Sequence, residues 1–299
     1  MTGFAAYVFY PHRGHKKLKT IVHALPMCND LHEHSFSMLH HYNDSPTYYT
    51  YCLDLIQLHN YAKLQMGCDN GFKCEWIAVK DDHMYVGGLG KVWTSEVGVV
   101  INHNPQFIKI ISKSGEVEHV DWQFNYNAMR KKAGIEDPGK GPNSTVFKDH
   151  CRSVPLYSNL LDVYSRSGTL EIILGSYVIH ESAVWSKIHK KWFFLPRRAS
   201  TTKYNDKEDE KKGTNLLIKC SENFQDISIT KIGEFSVPTH GFSSFKFVPN
   251  TLDNIIVALK SEEDGDIIAS YIMVFTVGGQ ILFPEKKIAN LKFEGIEFI

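Results

Sequence analysis

The sequence predicts an all-β protein, because short runs of aromatic and β-branched residues alternate with turn residues along much of its 299 positions. The clearest example is a β-hairpin. Residues 182–185 and 192–195 are rich in aromatic and aliphatic side chains, and the basic stretch 187–191 between them suits a solvent-exposed turn. This hairpin places Glu181 at the start of one predicted strand and Arg197 near the end of the other.

An oxygen-bearing side chain precedes a predicted strand at four places in the chain: Glu75, Glu181, Ser243 and Glu294. The separation is 62 residues from Glu181 to Ser243 and 51 from Ser243 to Glu294, close to the roughly 40 to 50 residues, plus loops, of one four-stranded propeller blade. Because blades repeat around an axis, the spacing predicts that the four oxygens meet. Carboxylate and hydroxyl oxygens suit calcium better than zinc. The pattern therefore predicts a β-propeller with a central calcium site.

Several long motifs resemble those of a known family. From Gly71 onward the chain is similar to the calcium-activated nucleotidase (apyrase) family, and the motifs that carry the resemblance include GFKCEWIAVKDDHMYVGGLGKVWTS, HVDWQFNYNAMRKKAGIEDPG, YVIHESAVWS, WFFLPRRAS, HGFSSFKFVPNTLDNIIVALKSEED, ASYIMVF and FEGIEFI. The resemblance implies a five-bladed β-propeller in which each blade gives one oxygen ligand to a central calcium. Position by position, four of those ligands resemble Glu75, Glu181, Ser243 and Glu294. The fifth, a serine on an earlier blade, has no counterpart here, so the propeller is expected to be incomplete.

The resemblance also implies a function. It implies a calcium-dependent hydrolase that releases phosphate from nucleoside di- and triphosphates, with UDP and GDP as expected substrates and UTP or ADP as related ones. It implies a place in the secretory pathway, in the lumen of the Golgi or endoplasmic reticulum or outside the cell, although no signal or anchor is visible in this sequence. The expected partner is the nucleotide substrate, and a homodimer formed through a propeller face is left open.

Two residues are the predicted catalytic groups. Glu181 is expected to act mainly as a calcium ligand. Arg197 is the predicted phosphate contact, because a planar guanidinium binds phosphate in two-pronged fashion and stays charged at any working pH. The alternative for Arg197, a structural ion pair with an acid of the next blade, stays open. Lys80 and Lys260 are weaker candidates for binding the phosphates of the substrate.

Composition excludes some classes of function. Lys and Arg together number 33, as do Asp and Glu, so the formal net charge is zero and gives no electrostatic case for nucleic-acid binding. No apolar run reaches the roughly 18 residues that a membrane-spanning helix needs. The sequence therefore predicts a globular protein without a membrane span and without a nucleic-acid partner.

Two stretches depart from the family pattern. Residues 1–66 hold eight of the 15 histidines, do not resemble the first blades and are predicted to form an atypical segment of low order. Residues 67–299 are predicted to form the propeller domain, interrupted by an inserted loop at 140–176. A retained intron and a genuine surface insertion both remain open for this loop, and loop closure would cost little in either case.

Two other classes of function stay open. Without its first blades the C-terminal strand is expected to leave an open edge, so the chain is alternatively an inactive truncated propeller or a binding module. A five-bladed glycoside hydrolase would need a pair of carboxylates flanking a sugar cleft. The mixture of glutamate and serine at the predicted centre fits metal binding better.

Overall fold

The computed structural model describes the backbone of residues 4–8, 21–24, 72–136, 161–166 and 169–298, and the side chains of 72–136 and 175–298. The described chain is made mainly of antiparallel strands, with few helical segments, which confirms the predicted all-β class. In the described part of the chain, no helix has the length and apolar character needed to cross a membrane.

The secondary-structure elements follow one another along the chain as a series of short antiparallel pairs. In chain order they are β1 (Phe4–Val8), β2 (Ile21–Ala24), β3 (Trp76–Lys80), β4 (His83–Gly87), β5 (Trp93–Thr94), β6 (Val100–Asn102), a 3-10 turn (Asn104–Gln106), β7 (Phe107–Ile111), β8 (Val117–Asp121), α1 (Gln123–Lys132), β9 (Leu161–Arg166), β10 (Thr169–Leu174), β11 (Tyr177–Ser186), β12 (Lys191–Ser200), α2 (Asp206–Asp209), β13 (Leu216–Ser221), β14 (Ile227–Lys231), β15 (His240–Phe247), β16 (Ile255–Asp264), β17 (Ile267–Thr276), β18 (Ile281–Ala289) and β19 (Gly295–Phe298).

Three four-stranded sheets form the body of the described chain: β3-β4-β7-β8, β11-β12-β13-β14 and β15-β16-β17-β18. The first strand of each sheet packs beside the first strand of the next, so that β3 contacts β11, β11 contacts β15, and β15 contacts β19. The short pairs β5-β6 and β9-β10 lie outside these sheets, and the second pair falls within the predicted insertion at 140–176. The packing therefore brings together the four strands that contain or directly follow the predicted ligands.

Strand β12 explains how one sheet is buried on both faces. Successive side chains of a strand point to opposite faces. Trp192 and Phe194 enter an aromatic core shared with the β3 sheet, whereas Phe193 and Leu195 enter a second core shared with the β15 sheet. Because all four residues are at most 1% exposed, the run is hydrophobic without alternation, as expected for a strand between two packed layers.

Backbone irregularities occur at two of the predicted ligands. Glu181 lies inside β11 rather than at its start, in a break of register between the pairs His180 with Pro196 and Ala183 with Phe194. Ser243 lies in a similar break inside β15, between Phe242 and Ser244. The expectation that strands begin just after these residues is therefore wrong. Bulges of this kind re-aim a side chain and are common near functional sites.

The C-terminal strand is paired along one edge, so the expectation that it would be left without an N-terminal partner strand is wrong. β19 pairs antiparallel with β1, with Phe4 opposite Phe298 and Tyr7 opposite Gly295. β1 pairs in turn with β2, which gives a three-stranded sheet built from both ends of the described chain. Of the segment 1–66, β1 and β2 are the parts that the structure describes, and its other residues lie outside the described ranges.

The turn between β17 and β18 offers a test of how closely the β15 sheet packs against the β11 sheet. Gly279 has φ +89°, and a Cβ there would lie 2.1 Å from the Lys231 carbonyl oxygen of the neighbouring sheet. We expect Gly279→Ala to destabilise the protein clearly more than Gly265→Ala, which has φ +60° but open space around it. The control should lose about 1 kcal/mol from backbone strain alone. Urea unfolding of both variants measures the difference, and equal losses would contradict the close packing at Gly279.

Candidate functional site

The structure places Glu75, Glu181 and Glu294 in largely buried positions within electrostatic range of one another, and it places Ser243 inside the neighbouring strand β15. The carboxylate side chains of Glu75, Glu181 and Glu294 are 11%, 10% and 22% exposed, and Ser243 is buried. The charge of Glu181 acts on the pKa values of both Glu75 and Glu294. We call these four residues the oxygen cluster.

Each carboxylate of the oxygen cluster has its own cationic neighbour. The three pairs are Lys73 Nζ with Glu75 Oε1 (2.7 Å), Arg197 Nη1 with Glu181 Oε2 (3.0 Å) and Lys292 Nζ with Glu294 Oε1 (2.8 Å). The lysines were not predicted as site residues. A signal for them was present in the sequence, because Lys-x-Glu occurs at 73–75 and again at 292–294.

The cations do not fully offset the burial of three acids. Burial raises the pKa of Glu75 to about 7, against the opposing effect of Lys73 and with a further increase from Glu181. Burial also raises the pKa of Glu294, with Lys292 opposing. Burial acts in the same direction on Glu181, but Arg197 and the two lysines outweigh it and hold the pKa of that carboxyl below its usual range. Desolvation therefore outweighs the paired cations at Glu75 and Glu294, and a bound cation would favour the charged forms of these carboxylates.

Ser243 is held in place by the chain just before Glu294. Its hydroxyl donates to the Phe293 carbonyl oxygen at 2.9 Å. The neighbouring Ser244 hydroxyl accepts from the Ile296 N–H at 3.3 Å. These two bonds tie the bulge of β15 to β19, and the lone pairs of the Ser243 oxygen keep acceptor capacity.

Bonds made by side chains support the bulge that carries Glu181. The Ser182 hydroxyl donates to the Leu195 carbonyl at 2.9 Å, and the Thr214 hydroxyl donates to the Pro196 carbonyl at 2.7 Å. Proline has no N–H to give to a sheet. The interruption of the ladder at Pro196 thus leaves buried carbonyls that these two hydroxyls satisfy.

Arg197 connects the oxygen cluster to the next sheet. Its Nη1 donates to Glu181 and to the Ser261 hydroxyl, and its Nη2 donates to Glu263 Oε2 at 2.8 Å. Glu263 lies on β16, so the pairing with an acid of the neighbouring sheet, which the sequence left open, is present. Lys292 also contacts Glu263, at 3.0 Å. Arg197 is 4% exposed, whereas the Glu263 side chain is 43% exposed.

The structure does not bring Lys80 or Lys260 into the oxygen cluster. Lys80 ends β3, five residues from Glu75, which is about 16 Å along an extended strand. It pairs there with Glu222 at 2.8 Å. Lys260 lies nearer, opposite Phe242 in the β15–β16 ladder, but its Nζ pairs with Glu285 at 2.9 Å.

The donor set fits a hard cation, although the side chains are not arranged as a metal shell. Among residues 72–136 and 175–298, no group of three acidic, histidine or cysteine side chains converges as a metal site requires. Each carboxylate instead contacts a lysine or arginine. Carboxylate oxygens are nevertheless ligands that calcium prefers, and in the arrangement described Lys73, Arg197 and Lys292 balance the charge of the carboxylates.

These features define a class of protein: an all-β chain of packed antiparallel sheets, with largely buried acidic and hydroxyl oxygens within or just before the strands that pack side by side. The profile of the family described as "Apyrase" matches residues 63–152 and 157–299, and within the predicted insertion it leaves out 153–156 alone. The chain belongs to the apyrase family.

Proteins from several animals are similar to this chain. "Soluble calcium-activated nucleotidase 1" of Rattus norvegicus is 49% identical over 77% of this chain and 48% of its own length. "Apyrase apy-1" of Caenorhabditis elegans is 40% identical over 76% of this chain and 54% of its own. "Apyrase" of Cimex lectularius is 36% identical over 77% and 53% respectively. The chain thus spans about half the length of the curated relatives it matches.

Proposed function

We propose that this chain is a calcium-dependent nucleotidase that releases phosphate from nucleoside di- and triphosphates, with UDP and GDP as its main substrates. The observation that carries the proposal is the oxygen cluster, in which three largely buried carboxylates lie within electrostatic range of one another. Relatives named calcium-activated nucleotidase and apyrase support it. The proposed location, from the resemblance, is the secretory pathway.

The proposed architecture is an incomplete five-bladed propeller made of residues 67–299, to which strands β1 and β2 from outside that range are added. The three four-stranded sheets would be three of its blades, and the sheet β19-β1-β2 would contribute a further one. The side-by-side packing of β3, β11, β15 and β19 supports this arrangement, because the innermost strands of a propeller line its axis. Residues 140–176 would form a loop outside the blades, and a homodimer remains a prediction that size-exclusion chromatography would test.

The proposed calcium ligands are Glu75, Glu181, Ser243 and Glu294. A bound calcium would supply positive charge to the phosphate oxygens and hold a water near them. The chain's own part is to keep the four oxygens together, which the bulges at Glu181 and Ser243 support. Lys73 and Lys292 hold Glu75 and Glu294 in place from the side.

Arg197 is the proposed phosphate contact, and Lys292 is proposed as a second one. Arg197 Nη1 is committed to Glu181, but Nη2 bonds to the half-exposed Glu263. A phosphate group can displace a solvent-accessible carboxylate from a guanidinium, because both accept from the same fork of donors. The nucleotide phosphates would then lie between Arg197 and Lys292. Lys292 also pairs with Glu263 and would lose that pair when a phosphate displaces the carboxylate.

Removal of the competing carboxylate tests this placement. We expect Glu263→Gln to lower the KM for UDP about three- to tenfold, with little change in kcat, because a neutral amide competes less well for Arg197 and Lys292. Glu222→Gln is the matched control, since Glu222 pairs with Lys80 at the other end of β3. A KM that stays the same or rises in Glu263→Gln would contradict the proposed phosphate position.

Phosphate release by the purified chain tests the function itself. UDP and GDP are supplied first with calcium, then with EGTA, and finally with calcium restored in excess. We expect release with calcium, loss to background with EGTA, and recovery. A chain that is folded by circular dichroism but releases no phosphate would overturn the proposal in favour of an inactive product or binding module.

A further inference from the structure

The charged side chains at the oxygen cluster balance one another. Each carboxylate has one cation within 3.0 Å, in the pairs Glu75 with Lys73, Glu181 with Arg197, and Glu294 with Lys292. A calcium ion bound by the same carboxylates adds two positive charges and repels any ammonium or guanidinium at close range. At least one of the three cations is therefore expected to give way when calcium binds.

Two of these cations are anchored by further groups. Arg197 also donates to the Ser261 hydroxyl and to Glu263, and its side chain is 5% exposed. Lys292 also pairs with Glu263, at 3.0 Å, and its side chain is 23% exposed. Arg197 and Lys292 thus each have a second anionic partner that is not a proposed calcium ligand.

Lys73 is the weakly held cation of the three. Its Nζ contacts Glu75 Oε1 at 2.7 Å, which is its one ion pair among the described residues, and its side chain is 54% exposed. An ion pair of a solvent-exposed lysine contributes about 1 kcal/mol or less, and a released lysine regains rotamer freedom and hydration. Lys73 is therefore the cation that calcium can displace at least cost.

A displaced Lys73 stays beside the proposed phosphate position. It lies two residues before Glu75, in the segment that enters β3, so the chain keeps it close to the oxygen cluster. It is also within electrostatic range of Glu181 and Lys292, and the nucleotide phosphates are proposed to lie between Lys292 and Arg197. A flexible ammonium with three rotatable donors suits contact with a phosphate group.

We propose that Lys73 is a mobile cation of the site, which leaves Glu75 when calcium binds and then contacts a phosphate of the nucleotide. The inference rests on the proposed nucleotidase function and adds a substrate contact to it. Lys73 holds Glu75 from the side until calcium binds. It therefore weakens calcium binding but strengthens nucleotide binding.

Calcium binding in the absence of nucleotide, measured by isothermal titration calorimetry, tests the first part. Lys73→Met removes the competing ammonium, so we expect its Kd for calcium to fall about three- to tenfold. Lys73→Arg keeps the charge and should bind calcium no more tightly than the wild type. Lys113→Met is the matched control, because Lys113 is an exposed lysine paired with Asp82 in the turn that follows β3. Its Kd for calcium should equal that of the wild type.

Nucleotide binding at saturating calcium tests the second part. The probe is α,β-methylene-UDP, in which a carbon replaces the oxygen between the two phosphorus atoms, so that this link cannot be hydrolysed. We expect Lys73→Met to raise the Kd for this probe about three- to tenfold, because one charge-assisted contact is lost. Lys73→Arg and Lys113→Met should stay within about twofold of the wild type, since both keep a cation at position 73.

The two parts of the proposal can each be contradicted. Circular dichroism shows whether Lys73→Met is folded. If the folded variant has the same or a higher Kd for calcium, Lys73 does not compete with calcium. If its Kd for the probe is unchanged, Lys73 does not contact phosphate. A wild type that binds calcium but neither binds the probe nor releases phosphate would overturn the proposed function and the phosphate contact, while the calcium measurement still decides the competition.

Discussion

Glu181→Gln is expected to lower calcium-dependent phosphate release from UDP at least about 100-fold, the order of effect seen when one charge-stabilising group is removed from an active site. Glu181 is the carboxylate of the oxygen cluster whose pKa lies below its usual range, because Arg197 and the two lysines outweigh the effect of its burial. It is therefore the negative charge on which the site most depends. Glutamine keeps the shape of the side chain but removes that charge. Initial rates at several calcium concentrations measure the effect.

Two controls make this result specific. Glu118→Gln makes the same chemical change at an exposed position on the outer strand β8, and its rate should match the wild type. Urea unfolding of Glu181→Gln in EGTA shows whether the variant remains folded. A folded Glu181→Gln protein with a rate within about threefold of the wild type would remove Glu181 from the proposed catalytic site.

Arg197→Met is expected to destabilise the calcium-free protein by about 3–5 kcal/mol, the usual cost of breaking a buried ion pair by deleting one partner. Arg197 bonds to Glu181, Glu263 and the Ser261 hydroxyl across two sheets. Its removal leaves the buried Glu181 carboxylate without its closest cation. Urea unfolding in EGTA measures the loss without interference from bound metal.

The double variant Arg197→Met with Glu181→Gln identifies the cause of that loss. If an uncompensated buried charge is responsible, the double variant should be more stable than Arg197→Met alone, because no ionised carboxylate is left stranded. Lys113→Met is the control for an exposed pair, since Lys113 and Asp82 are 67% and 69% exposed, and should cost at most about 1 kcal/mol. If Arg197→Met also costs at most about 1 kcal/mol, the ion pairs of Arg197 contribute little to stability.

Local pattern was sufficient to predict the strands. Hairpins such as β11–β12 depend on neighbouring residues, so aromatic and β-branched runs around a polar turn reveal them. The recurring spacing of Glu75, Glu181, Ser243 and Glu294 predicts that their oxygens meet. The four strands that contain or directly follow these residues pack side by side, and their joint role as calcium ligands stays a prediction.

The bulges and the cationic partners of the site were not predicted. Glu181 and Ser243 were placed at strand starts, yet both lie inside strands where the ladder breaks. A bulge is set by the pairing of two strands, and a run of hydrophobic residues does not reveal it. Lys73, whose side chain is 54% exposed, and Lys292, whose side chain is 23% exposed, were overlooked because a charged residue near a strand end usually faces solvent.

The sequence by itself determined the all-β class and the family, because these depend on local composition and motif. Only the tertiary structure decided that β19 pairs with β1, which lies almost the whole chain length away, and that Arg197 pairs with Glu263 of the neighbouring sheet. Such contacts join distant segments, and their energy comes from packing and from hydrogen bonds whose partners the linear order of residues does not specify.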